Sequence, residues 1–341
     1  MPCGSGAGAR RDDGRRACRC SLREIPCHRK ERQLMEKTTG LTAGLGALTT
    51  GGGDLPQRPV AIVCDSSCTL ARTRAEELGV TMVPMHYNVD GVRYAETFRN
   101  ENGDYDSLFR NGRLLMTEAV YQDEFADEFR RLLDADFSVL CLTISSRLSG
   151  TYRSAVHARE QLIREGEAPE RMRIIDSWTT SGGLEFLVRQ ARKLVSLGYG
   201  LETVGEKLEA ERARQGIDFT VPDLEVLRKS GRLGATRRAV PSNLDRFLVM
   251  ELQEGGIKDV CVAHGMRGTA RALIAEIPEE ARKNSVTVTG YGEAHEAVEE
   301  LVHEVRRELP ETTIHVRDGG PVVSLHLGVG SVSLAWRNFA E

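Results

Sequence analysis

The sequence predicts an α/β fold in two domains, and three observations lead to that prediction. A chain of 341 residues is long enough for two domains of ordinary size. Hydrophobic residues make up 40% and charged residues 28%, as in a typical globular protein. Short apolar runs alternate with amphipathic segments, and this rhythm changes after Gly216. We therefore expect a three-layer α/β/α domain around a parallel sheet over residues 58–216, then an α/β domain with a mixed sheet over residues 217–341.

The first 57 residues predict a disordered basic arm followed by a glycine-rich linker. Residues 1–34 hold nine Lys or Arg and four Asp or Glu, whereas the whole chain has a net charge of −4. The arm has no apolar periodicity from which to build a core, and residues 38–57 are rich in Gly and Thr. One alternative is that Met1 is an upstream start codon and that the protein starts at Met35. Another is that the arm contacts phosphates or, transiently, an anionic membrane. The arm lacks the apolar segment of a secretory signal.

The first predicted domain alternates strands with amphipathic helices. Residues 137–144 form a continuous apolar run, which is typical of a parallel strand covered on both faces. From Leu184 to Val195, apolar residues recur at helical spacing. The pattern predicts strands at Pro59–Cys64, Val80–Val89, Phe137–Ile144 and Arg173–Ile175. It predicts a hairpin turn at Asp90-Gly91. It predicts helices after Ser67, around Phe125–Leu133, after Ser149-Gly150-Thr151 and at Leu184–Val195.

The second predicted domain is richer in strands. Its apolar runs predict strands at Ile217–Val221, Phe247–Leu252, Ile257–Val262, Val286–Thr289, Thr313–Val316 and Val332–Trp336. Helical spacing predicts helices near residues 223–229, 266–276 and 294–308.

Composition and missing motifs disfavour several classes of function. A net charge of −4 and 5% aromatic residues give neither the charge nor the stacking platform of a nucleic-acid-binding protein. The sequence contains neither a G-x-x-x-x-G-K-[ST] phosphate loop nor a G-x-S-x-G nucleophile elbow. Its Cys and His residues lack the paired spacing of a metal site, so we expect no metal and no cofactor. We expect a cytoplasmic protein with reduced thiols.

The strongest candidate for chemistry is the hydroxyl-rich turn between Thr143 and Tyr152. It follows a predicted buried strand and precedes a predicted helix, and ligands of open α/β sheets bind at this edge. Ser145, Ser146 and Ser149 would there offer neutral donors to an anion such as a carboxylate. The alternative is structural, with Ser149 as a helix cap and the other two serines as turn residues.

Two later stretches are weaker candidates. His326 precedes two glycines in a predicted loop, where it could donate to an anion, although a lone histidine is more often an ordinary hydrogen-bonded residue. Arg228, Lys229 and Arg232 flank a glycine turn. They form either a solvated face or a contact for a phosphate or an acidic partner.

The order of these motifs resembles the DegV family, the fatty-acid-binding subunits of bacterial fatty acid kinase. The resemblance runs from about Val60 to Trp336, and the string from Ile144 to Tyr152 is its most specific part. The weaker matches, in chain order, are Asp65-Ser66-Ser67, Val89-Asp90-Gly91 with Tyr94, Asp176-Ser177 with Ser181-Gly182, Leu227 to Arg232, Arg267-Gly268 and the glycine-flanked His326.

The resemblance implies a lipid-binding carrier that is not an enzyme by itself. In such proteins two domains clasp one long-chain fatty acid. A separate ATP-dependent kinase subunit phosphorylates the bound carboxylate, and the acyl phosphate feeds phospholipid synthesis. Thr117, in a turn before the central strand, and His326 would hold the carboxylate together with either Ser146 or Ser149. Further candidates at this site are Ser66, Ser145 and Glu118, and the residues implied to face the kinase are Arg228, Lys229 and Arg232.

The sequence departs from the family pattern in three places, and one of them is the family's double glycine before Arg232, which reads Ser230-Gly231 here. The family's TSQPS turn reads TEAVY from Thr117 here, and a Glu118 side chain inside the site would repel a carboxylate. The family's THTGPG loop has Leu325 and Leu327 on either side of His326. We therefore expect a divergent member. Two alternatives stay open: a sensor or docking protein with another ligand, and a Ser/His acyl-transfer enzyme.

Overall fold

The structure is a computed structural model that describes residues 58–233 and 245–339. The predicted basic arm and linker over residues 1–57 lie outside the described residues. Within the described ranges, no helix is both long enough and apolar enough to cross a membrane. The strands form three sheets of four, three and six strands.

The first sheet is parallel and is covered on both faces by helices. Its strands, in the spatial order β2-β1-β6-β7, are β1 (Val60–Asp65), β2 (Val80–Val83), β6 (Ser138–Thr143) and β7 (Met172–Asp176). One face packs against α1 (Arg72–Leu78), α5 (Ser181–Ser196) and α6 (Leu201–Glu211), and the other against α3 (Gln122–Asp134) and α4 (Thr151–Arg164). The three-layer prediction is confirmed.

Alternation along the strands explains how one sheet serves two cores. Ile62 and Leu140 point to the α5 side, whereas Val63, Val139 and Cys141 point to the α3 side. Successive residues of a strand face opposite sides, so a strand covered on both faces must be apolar throughout. All six residues of β6 are buried, and those between Ser138 and Thr143 are all apolar.

A small antiparallel sheet follows the second strand of the parallel sheet. It has the order β4-β3-β5, with β3 (His86–Val89), β4 (Val92–Ala95) and β5 (Leu115–Glu118), and α2 (Tyr105–Asn111) precedes β5. The prediction of a single strand at Val80–Val89 is wrong, because the chain leaves the parallel sheet at Pro84, which has no backbone N–H for a ladder. The predicted hairpin turn is confirmed, with φ of 51° at Asp90 and 89° at Gly91.

The third sheet is mixed, as predicted. Its strands are β8 (Gln215–Thr220), β9 (Arg246–Gln253), β10 (Gly256–His264), β11 (Val286–Tyr291), β12 (Ile314–Asp318) and β13 (Ser331–Arg337). Their spatial order is β10-β9-β8-β13-β11-β12. Strands β11 and β12 pair in parallel, and the other pairs are antiparallel. The helices of this part are α7 (Leu224–Lys229), α8 (Gly265–Ala275), α9 (His295–Glu308) and α10 (Pro321–Leu327), and single 3-10 turns lie at Pro169–Arg171, Arg212–Arg214 and Glu279–Ala281.

Helix α5 packs closely against the mixed sheet as well as the parallel sheet. A Cβ at Gly182 would lie 2.7 Å from Cγ2 of Thr287 on β11, so only glycine fits at this crossing. The first strand of the mixed sheet begins at Gln215. The division into domains at residues 216 and 217 stays a prediction, since the described residues belong to one compact unit.

Candidate functional site

An apolar cavity lies where the carboxyl end of the parallel sheet meets the mixed sheet. It encloses about 780 Å³ of space, including open solvent at its mouth. The turn after β6 supplies Ile144 and Leu148, and the mixed sheet supplies Phe219 and Ile257. The cavity thus collects residues that the sequence presents as ordinary core.

The polar end of the cavity is built around Thr117 and His326. The Oγ1 atom of Thr117 on β5 lies 2.7 Å from Nε2 of His326 on α10. Both residues line the cavity. Thr117 belongs to a strand and not to the expected turn, and His326 belongs to a helix and not to the predicted loop; both local predictions are wrong. The structure nevertheless brings together the two residues that the resemblance paired.

The His326 ring is a neutral group at physiological pH. Burial, followed by the positive charge of Arg232, lowers the pKa of His326 to about 4. Its Nδ1 atom is buried without a hydrogen-bond partner among the described residues. If Nε2 carries the proton and donates to Thr117 Oγ1, the threonine hydroxyl remains free to donate its own proton to a ligand.

The two serines that the sequence could not separate have different surroundings. Ser149 lines the cavity, and its Oγ lies 2.9 Å from Oγ1 of Thr151. Ser146 is exposed and is not among the cavity residues; its Oγ donates to Asp176 Oδ2 at 2.5 Å and its N–H donates to Oδ1 at 3.0 Å. Only Ser149 is therefore placed to touch a ligand inside the cavity. The residue that caps α4 is Gly150 and not Ser149.

Ser145 and Ser66 are tied into the scaffold. Ser145 is buried and donates from Oγ to the carbonyl of Gly255 at 2.8 Å, which joins the turn after β6 to the β9–β10 hairpin. Ser66 is buried and donates to Glu96 Oε2 at 2.6 Å. Neither serine lines the cavity. Their hydroxyls support the site from outside it.

The Glu118 side chain faces away from the cavity. Its Oε2 atom accepts hydrogen bonds from Tyr121 Oη at 2.6 Å and from Arg93 Nε at 2.9 Å. The hydrogen bond from Tyr121, supported by that from Arg93, lowers the pKa of Glu118. The carboxylate is thus charged and paired on the outer surface, and the repulsion considered from the sequence does not arise in the cavity.

The three basic residues of the Arg228 to Arg232 turn divide into two groups. Arg228 and Lys229 are exposed at the end of α7, where Arg228 pairs with Glu225. Arg232 lines the cavity and donates to the backbone carbonyls of Leu148 and Ser230. Burial lowers the pKa of Arg232 but leaves the guanidinium charged. Arg232 pairs with no carboxylate in the described part of the chain, so it places positive charge at the polar end.

Two buried carboxylates hold the elements of the site in position. Asp65 accepts the N–H of Ile144 at 2.6 Å and that of Ser67 at 3.0 Å, which fixes the start of the turn after β6. Glu96 accepts the N–H of Val322 at 2.9 Å at the start of α10, the helix that carries His326. Burial raises the pKa of Glu96 to about 7. Nothing in the local sequence around Glu96 signals this role, because its partner is 226 residues away.

This arrangement is suited to binding a carboxylate and poorly suited to nucleophilic catalysis. Hydroxyls, a neutral imidazole and one guanidinium converge on an apolar cavity. A pKa of about 4 makes His326 a weak base, and it contacts Thr117 and not Ser149. The Ser/His acyl-transfer alternative therefore lacks its nucleophile–base pair. Among the described residues, no group of three His, Cys, Asp or Glu side chains could hold a metal ion.

Comparison with known proteins gives consistent matches over the described body. Residues 59–338 match a family model described as an uncharacterised protein of the DegV family. A DegV domain-containing protein of Halalkalibacterium halodurans is 30% identical over 284 residues, which span 81% of this chain and 98% of that protein. A solved DegV family protein from Thermus thermophilus, described for its fatty acid binding, is 27% identical, with a TM-score of 0.72 over 83% of this chain and 100% of that chain. A stearic acid-binding protein from Eubacterium ventriosum is 26% identical, with a TM-score of 0.72 over 82% and 98% of the two chains.

Proposed function

Because the chain belongs to the DegV family, we propose that it binds one long-chain fatty acid in the cavity described above. The carboxylate binds at Thr117, Ser149 and His326, and the acyl chain lies among the apolar walls. The observation that carries the proposal is an apolar cavity that ends in neutral donors beside the guanidinium of Arg232. The relatives from Thermus thermophilus and Eubacterium ventriosum, which are described as binding fatty acids, support it.

The lining of the cavity suits an acyl chain, because its walls are mostly apolar side chains. Burying a 16-carbon chain at about 0.8 kcal/mol per CH₂ gives about 12 kcal/mol before ordering costs. Most of the affinity would therefore come from the apolar walls, and the donors at the polar end would fix the direction of the ligand.

The donors at the polar end suit a carboxylate that has to stay reactive. Thr117 and Ser149 each have a hydroxyl that can donate into the cavity, and His326 is neutral. Arg232 is held by two backbone carbonyls, so its charge attracts the carboxylate without committing a bidentate fork to both oxygens. One carboxylate oxygen thus remains available as a nucleophile.

We further propose that the protein acts as a cytoplasmic carrier, which presents this carboxylate to a separate ATP-dependent kinase. A carboxylate oxygen bonds to the γ-phosphorus of ATP, the bond from that phosphorus to the β–γ bridging oxygen breaks, and ADP leaves with the electron pair. The exposed Arg228 and Lys229 precede Arg232 in the chain, and we assign them to the contact with the kinase. In this reaction the carrier orients its ligand and supplies no phosphoryl donor.

Calorimetric titration of the delipidated protein with fatty acids of increasing chain length tests the binding proposal. We expect saturable binding at one ligand per chain, with affinity that rises with chain length until the cavity is full. Absence of saturable binding at any length would refute the proposal. Phosphoryl transfer is tested separately, by trapping an acyl phosphate with hydroxylamine after ATP and a fatty acid kinase subunit are added to the loaded protein.

A further inference from the structure

A second cavity lies beside the start of strand β8. It encloses about 870 Å³ of space, including open solvent at its mouth. Ile217 and Leu252 line both this cavity and the first one, so they form the wall between the two. Thr117, Ser149 and His326 do not line the second cavity. It is therefore a site apart from the proposed carboxylate site.

The register of the mixed sheet places two acids and a tryptophan on one wall of the second cavity. Asp218 on β8 lies directly opposite Glu251 on β9. Trp336 on β13 lies opposite Gly216, which is two residues before Asp218 on β8. Directly opposite residues, and residues two apart along a strand, share one face of a sheet. A Cβ at Gly216 would overlap the Trp336 ring, so glycine leaves room for the indole on this face.

Asp218 is a buried carboxylate with one unpartnered oxygen. The residue is 2% exposed and lines the second cavity. Its Oδ2 atom accepts a hydrogen bond from Trp336 Nε1 at 2.8 Å, whereas Oδ1 has no hydrogen-bond partner among the described residues. Burial raises the pKa of Asp218 to about 7; the hydrogen bond from Trp336 opposes this rise, and the charges of Glu276 and Glu251 add to it. A buried carboxylate without full hydrogen bonding costs free energy, and a bound cationic donor would offset that cost.

The second cavity has more acidic than basic side chains in its lining. Its four carboxylates and one guanidinium belong to Asp218, Glu251, Glu254, Glu276 and Arg212. Two of the acids pair with Lys258 and Arg147, which do not line the cavity. Asp218 and Glu276 form no ion pair within the described residues. Glu276 also caps the carboxyl end of α8, where the last carbonyls of the helix add partial negative charge. The cavity therefore favours a cationic ligand.

Arg212 is held against a tryptophan and does not pair with these acids. Its guanidinium carbon lies 3.8 Å from the centre of the Trp178 ring, and its Nη1 atom donates to the backbone carbonyl of Asp176 at 2.6 Å. Arg212 forms no ion pair with an acid in the described part of the chain. Trp178 and Trp336 both line the cavity, so apolar surface lies beside the unpaired acids.

We propose that the second cavity binds an aliphatic diamine or polyamine, with one ammonium group at Asp218 and another at Glu276. This inference does not rest on the proposed fatty acid function. An ammonium group has three donors and no acceptor, which suits carboxylate oxygens that lack a partner. The methylene groups between two ammonium groups would cover the indole surface, and indole rings attract cations. A metal ion fits less well, because no group of three His, Cys, Asp or Glu side chains in the described ranges could hold one.

Tryptophan fluorescence reports on this cavity directly, because both tryptophans of the chain line it. We expect putrescine to change the emission with saturation, at one ligand per chain in calorimetry. The diol 1,4-butanediol has the same carbon chain and no charge, and should cause no such change. Asp218→Asn keeps the shape of the side chain and an acceptor for Trp336, and should lower the affinity for putrescine about tenfold. Glu276→Gln should lower it as well, whereas Glu280→Gln, an exposed position outside the cavity, should leave it unchanged.

Absence of saturable putrescine binding at millimolar concentration would overturn the inference. So would the same emission change with NaCl at equal ionic strength, which indicates screening, or saturation by Mg²⁺ at the same concentration, which indicates a metal site. Wild-type affinity in both Asp218→Asn and Glu276→Gln would overturn it too. If circular dichroism shows that Asp218→Asn does not fold, the comparison of Glu276→Gln with Glu280→Gln decides the question. Palmitate binding is measured separately on the same proteins, and its absence from the wild type would refute the proposed fatty acid function while leaving this inference standing.

Discussion

Replacing Thr117 by valine tests the carboxylate site with the least change of shape. Valine keeps the branched side chain of a strand residue and removes only the hydroxyl. In the structure that hydroxyl contacts Nε2 of His326 at 2.7 Å and faces the cavity. The variant should fold normally, because β5, which carries Thr117, is an edge strand of its sheet and the walls of the cavity stay intact.

The magnitude follows from the charge of the ligand. A hydrogen bond to a charged acceptor contributes about 1.5–3 kcal/mol of free energy, and this contribution is lost when the donor is removed. Thr117→Val should therefore lower the affinity for palmitate about tenfold to a hundredfold. Hexadecanol has the same chain and no charge, so its affinity should fall much less.

Displacement of a fluorescent fatty acid by palmitate and by hexadecanol measures both affinities. Thr81→Val is the control, since Thr81 lies on β2 and does not line the cavity. A variant at Thr117 that binds palmitate like the wild type would refute the reasoning. So would equal losses of palmitate and hexadecanol, because they would indicate damage to the walls and not to the polar end.

The other predictions concern the serine, the walls and a buried acid. Ser149→Ala should lower the affinity for palmitate about tenfold in the same displacement assay, whereas Ser146→Ala should change that affinity less than twofold. A larger loss for Ser146→Ala than for Ser149→Ala would place the carboxylate outside the cavity. Ile257→Trp fills part of the cavity, so the longest fatty acid bound in calorimetry should become shorter, while Val316→Trp on the exposed β12 should have no effect. Burial raises the pKa of Glu96 to about 7, so the folded protein binds an extra proton between about pH 5 and 7 and its stability falls as the pH rises through that window. Glu96→Gln should flatten this fall in the urea midpoint, and an unchanged slope would show that Glu96 is not the group responsible.

Local pattern was sufficient for the strand β6 of the parallel sheet and for the turn that follows it. The continuous apolar run after Phe137 predicted β6, and β6 is buried over its whole length. The turn that follows was also predicted, because hydroxyl residues between a buried strand and an amphipathic helix belong at the carboxyl edge of such a sheet.

Local pattern failed where distant residues decide the structure. The segment that carries His326 reads PVVSLHL, whose apolar positions fit a strand as well as a helix, yet it forms α10. Pro321 starts that helix, and Glu96 accepts the N–H of Val322 from 226 residues away. The choice between Ser146 and Ser149 depended in the same way on Asp176, a residue on another strand. Such contacts are set by the tertiary fold, so a reading of neighbouring residues could not find them.

The cavity itself could not be predicted from the sequence. Phe219, Ile257 and Leu227 follow the same apolar pattern as core residues that are fully packed. Whether an apolar face meets another side chain or an empty space depends on how two sheets approach each other. Arg232 illustrates the same limit, because its motif suggested an outward-facing residue and the structure places it in the cavity wall.

Native mass spectrometry of the freshly purified protein tests the central claim most directly. The protein should carry one bound molecule per chain, and denaturation should release a long-chain fatty acid whose mass gives its length and saturation. Exchange against deuterated palmitate should then replace that molecule one for one. A protein that is empty and takes up no palmitate, or that releases a ligand without a carboxylate, would contradict the account.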